Sequence, residues 1–387
     1  MAQASSSVSS WKSRLADAWM SRNALSRALW PLSLPMEALV RIRAALYRAD
    51  WLPRQRLPVP VIVVGNVVVG GAGKTPTVMA IIRHLQQQGH HPGVISRGYG
   101  RMVAPGSSAD AALDVQADTP AHLAGDEPLL IRQATGVPVV VARRRIDAGR
   151  QLLALYPCTT VLVCDDGLQH LALHADIAVA VFDERGLGNG WLLPAGLLRE
   201  PWPDHTSRRI DMVLHIGNHG TTPAPLPCPP GTRIFQASRS LADEAISAFG
   251  HRIPLHTLAA NRVRPNVALA GIAKPQVFFD MLHGKGIHLT QKIALEDHHD
   301  FSEPNTKNDN PEVWDAVNTK QLFMTEKDAV KLFPLIRNLK SSQPADLQLG
   351  NADTPNAWAI PLTLSLEQAF LATLDQKLSL IHGHQTA

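Results

Sequence analysis

The chain has 387 residues, of which 45% are hydrophobic and 18% are charged. This length accommodates two ordinary domains, and the composition excludes disordered, collagen-like and low-complexity proteins. The three cysteines follow no metal-ligand spacing and cannot all pair, which favours a reducing compartment over a disulfide framework.

The positive charge is concentrated near the N-terminus. The whole chain carries a formal charge of +4, and the segment from Trp11 to Leu57 has nine basic and three acidic residues, a charge of +6. A basic N-terminal segment on an otherwise nearly neutral chain predicts contact with an anionic surface and no nucleic-acid partner.

The same segment has helical periodicity. Trp11, Leu15 and Trp19 recur every four residues, and a similar pattern resumes at Met36 after a proline-containing stretch that we expect to break the helix. No stretch reaches the roughly 20 apolar residues that span a bilayer, and interspersed charges exclude a secretory signal peptide. Two interpretations stay open, namely a helix in a membrane interface and a helix docked on the protein's own core.

The body of the chain alternates short apolar runs with helix-length segments, which predicts parallel βαβ units. A stretch rich in Pro and Gly then resembles a linker, and a second α/β rhythm follows. The predicted organisation is a leader over 1–57, a first domain over 58–217, a linker over 218–232 and a second domain over 233–387. The predicted strands are 59–64, 94–96, 137–142, 160–164, 177–182, 266–270, 321–324 and 358–362, and the best-defined helices are 75–88 and 366–378.

A glycine-rich turn follows the first predicted strand and opens a helix, as in a phosphate-binding P-loop. The turn offers the backbone amides of Gly70, Gly71, Ala72 and Gly73, and it is followed by Lys74, Thr75 and Pro76. Lys74 is suited to reach the terminal phosphates of a nucleotide, and the Thr75 hydroxyl is suited to ligate Mg²⁺. The strict pattern has glycine where this chain has Val68. The alternative is a βα turn with an incidental lysine.

Another predicted strand ends in two carboxylates, Asp165 and Asp166. A P-loop needs an acidic partner at the end of a second strand to hold its metal, so we interpret the pair as metal ligands rather than turn formers. Gln169 and His170 follow closely and are candidates for contacts near the phosphates.

Three further clusters carry polar side chains. Arg97 lies in a glycine-containing loop after a strand, and Asp126 precedes a helix, where its simplest role is an N-cap. His298 and His299 are adjacent, so they would point to opposite faces of a strand and are poorly placed to chelate one metal.

A series of motifs occurs in one order, from Gly65-Asn66 to Met324-Thr-Glu-Lys-Asp-Ala329, and the chain resembles the tetraacyldisaccharide 4'-kinase family. The motifs between these two are Val69-Gly-Gly-Ala-Gly-Lys-Thr-Pro76, Ser96-Arg-Gly-Tyr-Gly-Arg101, Gly125-Asp-Glu-Pro128, Asp165-Asp-Gly-Leu-Gln-His170, Arg185-Gly-Leu-Gly-Asn-Gly190, Leu193-Pro-Ala-Gly196, Leu198-Arg-Glu-Pro201, Ala270-Gly-Ile272 and Asp297-His298.

The resemblance implies transfer of the ATP γ-phosphate to the 4'-hydroxyl of a tetraacyl glucosamine disaccharide 1-phosphate, which gives lipid IVA. It also implies two Rossmann-like α/β/α domains, the first P-loop NTPase-like, with an N-terminal amphipathic helix and a second domain that closes over the site. The implied cofactors are ATP and Mg²⁺. The implied location is peripheral, on the cytoplasmic face of a Gram-negative inner membrane with its anionic surface, and no obligate protein partner is inferred.

The proton of the sugar hydroxyl must be accepted by a base that the P-loop does not supply. We predict that Asp126 is this base and that His298, chosen over His299, orients it as an Asp–His dyad. The matching motifs add Glu200 to the metal candidates, and they give Asn66, Arg97, Gln169, His170 and Arg199 as substrate candidates.

Two local departures from the family pattern leave these residues untouched. Ala273-Lys274-Pro275 stands where the family usually shows Gly-Asn-Pro, and Leu197 replaces a common proline. Two rival classes remain, a P-loop ATPase or GTPase acting as a switch or metal-insertion factor, and a non-enzymatic scaffold that binds nucleotide at a membrane surface.

Overall fold

The computed structural model describes residues 14–102, 111–218, 226–261, 263–297, 299–301, 310–341 and 356–385. The helices are 14–20 (α1), α2 (Ala24–Arg48), α3 (Lys74–Gln87), α4 (Ala121–Ala124), α5 (Asp126–Thr135), α6 (Arg145–Leu155), α7 (Leu255–Ala260), α8 (Pro275–Gly284), α9 (Pro311–Thr319), α10 (Glu326–Ser341) and α11 (Gln368–Gln385). The strands are β1 (Val61–Gly65), β2 (Pro92–Ser96), β3 (Leu113–Asp114), β4 (Val139–Val141), β5 (Val161–Asp165), β6 (Ile177–Phe182), β7 (Met212–Asn218), β8 (Arg233–Leu241), β9 (Glu244–Ser247), β10 (Arg252–Pro254), β11 (Asn266–Ala270), β12 (Gln291–Ala294), β13 (Gln321–Thr325), β14 (Ala357–Ile360) and β15 (Leu362–Leu366).

The larger sheet has nine strands within the described ranges, in the order β15-β8-β7-β6-β1-β5-β2-β4-β3. Strand β1 lies between β5 and β6, and both neighbours run parallel to it, with Val64 opposite Asp165 and Gly65 opposite Ala180. Every residue of these three strands is buried, because helices cover both faces of the sheet. One core contains side chains of α3, α5 and α11, and the other contains side chains of α6.

The smaller sheet has six strands in the part of the chain that the structure describes, in the order β10-β9-β14-β13-β11-β12. Strands β11, β12, β13 and β14 are parallel, and β9 and β10 form an antiparallel edge. One core includes side chains of α9 and α10, and the other includes side chains of α7 and α8. Two layered α/β units confirm the predicted fold class.

The division between the sheets does not coincide with the predicted linker over 218–232. Strand β8, which follows that stretch, pairs in parallel with β7 from Met212 opposite Arg233 to Asn218 opposite Arg239. The chain then builds the smaller sheet and returns through β15, which pairs with β8, while α11 packs Phe370 on the core of the larger sheet. Residues rich in Pro and Gly therefore join two neighbouring strands of one sheet. The same composition suits a loop and a linker, so the sequence did not distinguish them.

The leader helix corrects the predicted proline break. Helix α2 runs continuously through Pro31 and Pro35. Tertiary contacts hold this stretch, because the Ser33 hydroxyl donates to the carbonyl of Leu192 at 2.9 Å and the Trp30 ring lies 6.3 Å from that of Trp191. These contacts outweigh the helix-breaking tendency of proline. Among the described residues, no helix combines the length and the apolar character needed to cross a bilayer.

Candidate active site

The P-loop joins β1 to α3 at the carboxyl edge of the larger sheet. Gly70 and Gly73 adopt positive φ angles of 86° and 80°, which other residues rarely adopt. A Cβ on Gly73 would lie 2.5 Å from Cδ1 of Ile216, so any other residue there would also force that side chain to shift. Thr75 and Pro76 lie in the first turn of α3, whose capping residue offers no side-chain hydrogen bond. The free amides of this turn and the helix dipole face the loop and can bind an anion.

Lys74 lies inside this loop and contacts two other predicted residues. Its Nζ donates to Oδ1 of Asn66 at 3.1 Å and forms an ion pair with Oδ1 of Asp166 at 3.2 Å. Arg199 contacts the same carboxylate at 3.4 Å. Burial alone would raise the pKa of Asp166, but the charges of Lys74 and Arg199 outweigh it and lower the pKa. The structure thus brings four predicted residues into one charged cluster.

Asp165 ends β5 beside this cluster and is almost completely buried. Its Oδ1 has no hydrogen-bond partner among the described residues. Burial, and then the negative charges of Glu127 and Asp166, raise the pKa of Asp165 to about 7, although Lys74 opposes them. A buried carboxylate oxygen without a partner is what a divalent cation would satisfy, so Asp165, Asp166 and the Thr75 hydroxyl fit Mg²⁺.

Glu200 lies in the same region, but its oxygens are engaged. Oε1 accepts a hydrogen bond from Gln169 Nε2 at 2.6 Å, and Oε2 accepts one from the amide of Ser207 at 2.7 Å. Gln169 also donates to the carbonyl of Asn66 at 3.1 Å. A carboxylate oxygen can accept a hydrogen bond and ligate a cation at the same time, so metal ligation by Glu200 stays a prediction. The observed contacts also make Glu200 a support for Gln169 and the start of the P-loop.

His170 lies in a positively charged environment. Burial first, and then the charges of Arg145, Arg43, Arg208 and Arg97, lower the pKa of His170 to about 4, so its imidazole is neutral at physiological pH. Arg145 is buried and donates to the carbonyl of Asp166 at 3.0 Å, whereas Arg97 is exposed. Such a basic environment suits an anionic group of a substrate.

Asp126 is the first residue of α5, and its side chain reaches the smaller unit. The N-cap role suggested for Asp126 is wrong, because Gly125 is the capping residue and no side chain caps this helix. Its Oδ2 forms an ion pair with Lys331 Nζ at 3.1 Å, and the side chains are only 11% and 7% exposed. The neighbouring Glu127 acts electrostatically on Asp165, which places the start of α5 near the end of β5. The predicted partner His298 lies outside the described residues. His299 is described, and its carbonyl accepts a hydrogen bond from Lys331.

Three residues of the site region were absent from the predicted set. Arg185 pairs with the buried Asp183 and donates to the carbonyl of Val69 in the P-loop at 3.1 Å. Lys274 reaches the same Asp183 from the smaller unit at 3.2 Å, and Lys331 reaches Asp126. The sequence contained a signal for Arg185, which stands in a quoted motif. The other two contacts arise only when the sheets pack together.

A parallel sheet with a P-loop, a lysine within that loop and paired carboxylates on the adjacent strand define a P-loop phosphotransferase. Residues 25–379 match the family model described as LpxK, tetraacyldisaccharide-1-P 4'-kinase. Tetraacyldisaccharide 4'-kinase of Polaromonas naphthalenivorans is 47% identical over 382 residues, which cover 97% of this chain and 99% of the relative. The enzyme of the same name from another Polaromonas species is 49% identical over 378 residues, covering 95% and 99%.

A solved structure shows the same architecture. The crystal structure of "apo" form LpxK from Aquifex aeolicus in complex with ATP superposes with a TM-score of 0.71 and is 26% identical, covering 92% of this chain and 99% of that chain. The chain belongs to the tetraacyldisaccharide 4'-kinase family. It is a kinase of lipid A biosynthesis.

Proposed function

We propose that this chain binds ATP in the loop 66–75 and transfers the γ-phosphate to the 4'-hydroxyl of a tetraacyldisaccharide 1-phosphate at a membrane surface. The observation that carries the proposal is the contact of Lys74 with Asn66 and Asp166 within the P-loop. In the reaction the 4'-oxygen forms a bond to the γ-phosphorus, the bond to the β-phosphate oxygen breaks, and ADP leaves.

Each residue has a distinct part in this proposal. The amides of Gly70–Gly73 and the start of α3 bind the phosphates, and Lys74 exchanges its ion pair with Asp166 for the terminal phosphates. Asp126, oriented by His298, accepts the proton of the 4'-hydroxyl. Arg97, His170 and Arg199 contact the substrate.

Thr75, Asp165 and Asp166 would hold Mg²⁺. The ion would neutralise charge on the phosphates during transfer. Its binding also requires Asp165 to be ionised, and the raised pKa of Asp165 opposes that change until the cation arrives. Asn66 and Gln169 hold the loop in place through their hydrogen bonds.

The leader helix supports the proposed peripheral location of the protein, which is the anionic surface of the inner membrane at its cytoplasmic face. One face of α2 is buried through Ser26, Ser33, Ala44 and Tyr47. The opposite side exposes large apolar side chains, and among them Leu32 and Leu39 are 60% and 63% exposed. Residues seven apart lie on the same face of a helix, so these leucines form an apolar stripe beside the arginines of the leader. The buried face agrees with docking on the protein's own core, and the exposed stripe supports the proposal that the helix also contacts a membrane.

The reaction is tested by incubating an acylated disaccharide 1-phosphate with the protein, Mg²⁺ and ATP, followed by mass spectrometry. Phosphorylated lipid is the expected product, and Asp126→Asn should reduce its rate steeply with ATP binding nearly unchanged. Free phosphate without phosphorylated lipid would instead support an ATPase switch. Binding of ATP without either product would support a scaffold.

The leader is tested by sedimentation with anionic phospholipid vesicles. The double variant Leu32→Glu/Leu39→Glu should lose most of its vesicle binding, because it places two charges on the apolar stripe. Leu155→Glu is the matched control, since Leu155 is 47% exposed on α6. Equal binding of the double variant and the control would contradict a membrane role for α2.

A further inference from the structure

Helix α10 lies between the two sheets and contacts the cores of both. It follows β13 directly, and the Asp328 carboxylate fixes its first turn by accepting hydrogen bonds from the Gly271 amide at 3.0 Å and the Thr325 hydroxyl at 2.6 Å. Leu332 is buried in the core of the smaller sheet, whereas Val330 is buried in the core of the larger sheet. The helix is therefore anchored in the smaller unit while one side packs on α5 of the larger unit.

Lys331, next to Val330, extends from α10 to the start of α5. Its Nζ lies 3.1 Å from Asp126 Oδ2, donates to the carbonyl of His299, and lies 5.8 Å from the centroid of the Phe301 ring. With a side chain only 7% exposed, the ammonium group is shielded from water. A shielded charge needs such partners, so the three contacts account for its burial.

The position of Asp126 gives the contact a chemical consequence. The amides and the dipole at the start of α5 favour a carboxylate at its first residue. Lys331 adds a positive charge from the opposite direction and holds Oδ2 in one orientation. Both contacts therefore act on the carboxylate that is proposed to accept the proton.

We propose that Lys331 is a positioning residue for phosphoryl transfer, which orients the Asp126 carboxylate and places this base only when α10 packs against α5. This inference rests on the proposed function of Asp126 as the base. In this proposal Lys331 acts through Asp126, which it contacts directly. Its hydrogen bond to the His299 carbonyl means that one ammonium group contacts both the start of α5 and the segment that contains His299.

The test measures kcat and the KM for ATP with full-length variants and the lipid acceptor. Lys331→Met keeps the length of the side chain but removes the charge, and its kcat should fall about 100-fold because small displacements of a catalytic group have effects of this order. Its KM for ATP should change by less than about threefold, since the phosphate cradle contacts other residues. Lys331→Arg should recover kcat to within about tenfold of the wild type, which a loss of packing alone does not predict.

Lys377→Met is the matched control. It breaks an ion pair of similar length, 3.0 Å, between α11 and Asp211 in the larger unit, although Lys377 is more exposed than Lys331. Its kcat should stay within about twofold of the wild type. If Lys331→Met and Lys377→Met lower kcat equally, Lys331 has no role beyond an ordinary ion pair and the proposal is wrong. Lys331→Gln, which keeps a hydrogen-bond donor, replaces Lys331→Met if thermal melting shows that the methionine variant does not fold.

A double-mutant cycle separates this proposal from that for Asp126. If Asp126→Asn keeps more than about a tenth of the wild-type kcat, Asp126 is not the base and the proposed function fails at that residue. If Asp126→Asn lowers kcat below that threshold to a rate that is still measurable, the Asp126→Asn/Lys331→Met double variant should be hardly worse, because Lys331 acts through Asp126. Multiplicative losses would show that Lys331 acts independently and would overturn the inference.

Discussion

Replacing Asp165 by asparagine should stabilise the protein without nucleotide or metal at alkaline pH, although it should remove activity. Asp165 is 1% exposed at the end of β5. Its burial, reinforced by Glu127 and Asp166, raises its pKa from 3.8 to about 7. The folded protein therefore binds this proton more tightly than the unfolded chain does. This tighter proton binding stabilises the folded state. The stabilisation is fully present below about pH 4 and is lost as the pH rises to about 7.

The size of the effect follows from the same pKa change. Each pKa unit corresponds to about 1.4 kcal/mol, so a rise of about three units gives an upper limit of about 4 kcal/mol above pH 7. Part of this energy is repulsion between Asp165 and the carboxylates of Asp166 and Glu127. Replacing Asp165 alone therefore raises the free energy of unfolding by less than the upper limit. We therefore expect the free energy of unfolding of Asp165→Asn to exceed that of the wild type by an amount that grows by about 2 kcal/mol between pH 5 and pH 8.

The assay is urea unfolding followed by tryptophan fluorescence, in buffers with a chelator and without nucleotide. Asp183→Asn is the matched control, because Asp183 is also 1% exposed and follows β6, which lies on the other side of β1 from β5 in the same sheet. Its carboxylate, however, is paired with Arg185 and Lys274. The control should therefore lose stability, since it removes the buried anion that Arg185 and Lys274 both contact. A destabilised Asp165→Asn variant, or a pH-independent difference, would refute the reasoning.

Lys74→Ala should lower the rate of phosphoryl transfer by several orders of magnitude with an unchanged circular dichroism spectrum, because the charge of Lys74 stabilises the transition state. A variant that keeps more than about a tenth of wild-type turnover would contradict that role. Gly73→Ala should weaken ATP binding about tenfold or more in calorimetry, because φ is 80° there and a Cβ would lie 2.5 Å from Ile216. Unchanged affinity would show that ATP binding does not depend on this backbone conformation. Lys274→Asn should lower the free energy of unfolding by about 1 kcal/mol, and less at high salt, because its contact with Asp183 is partly exposed. A salt-independent loss would contradict an ionic origin.

The strands that are buried on both faces of the larger sheet were predictable from the sequence. The apolar runs that became β1, β5 and β6 lie within two residues of their predicted bounds, because a strand covered on both faces has no polar positions. Strands β7 and β8 were missed, and the loop between them was taken for a linker. Their pairing depends on contacts across the whole sheet, and no local pattern shows that the chain will return to it through β15.

In the site, too, contacts within one sheet were predictable and contacts between the two units were not. Lys74, Asp165 and Asp166 were predictable as neighbours, because parallel strands adjacent in one sheet bring their carboxyl ends to one edge. Asp126 was predicted from its motif, but its ion pair with Lys331 was not. Lys331 has no special spacing on α10, where a lysine beside an apolar face usually points to solvent. Its contact exists because Val330 packs on the larger sheet, and this fixes the direction in which the next side chain points. A contact between two units follows from how their surfaces fit, so it becomes visible only in the folded structure.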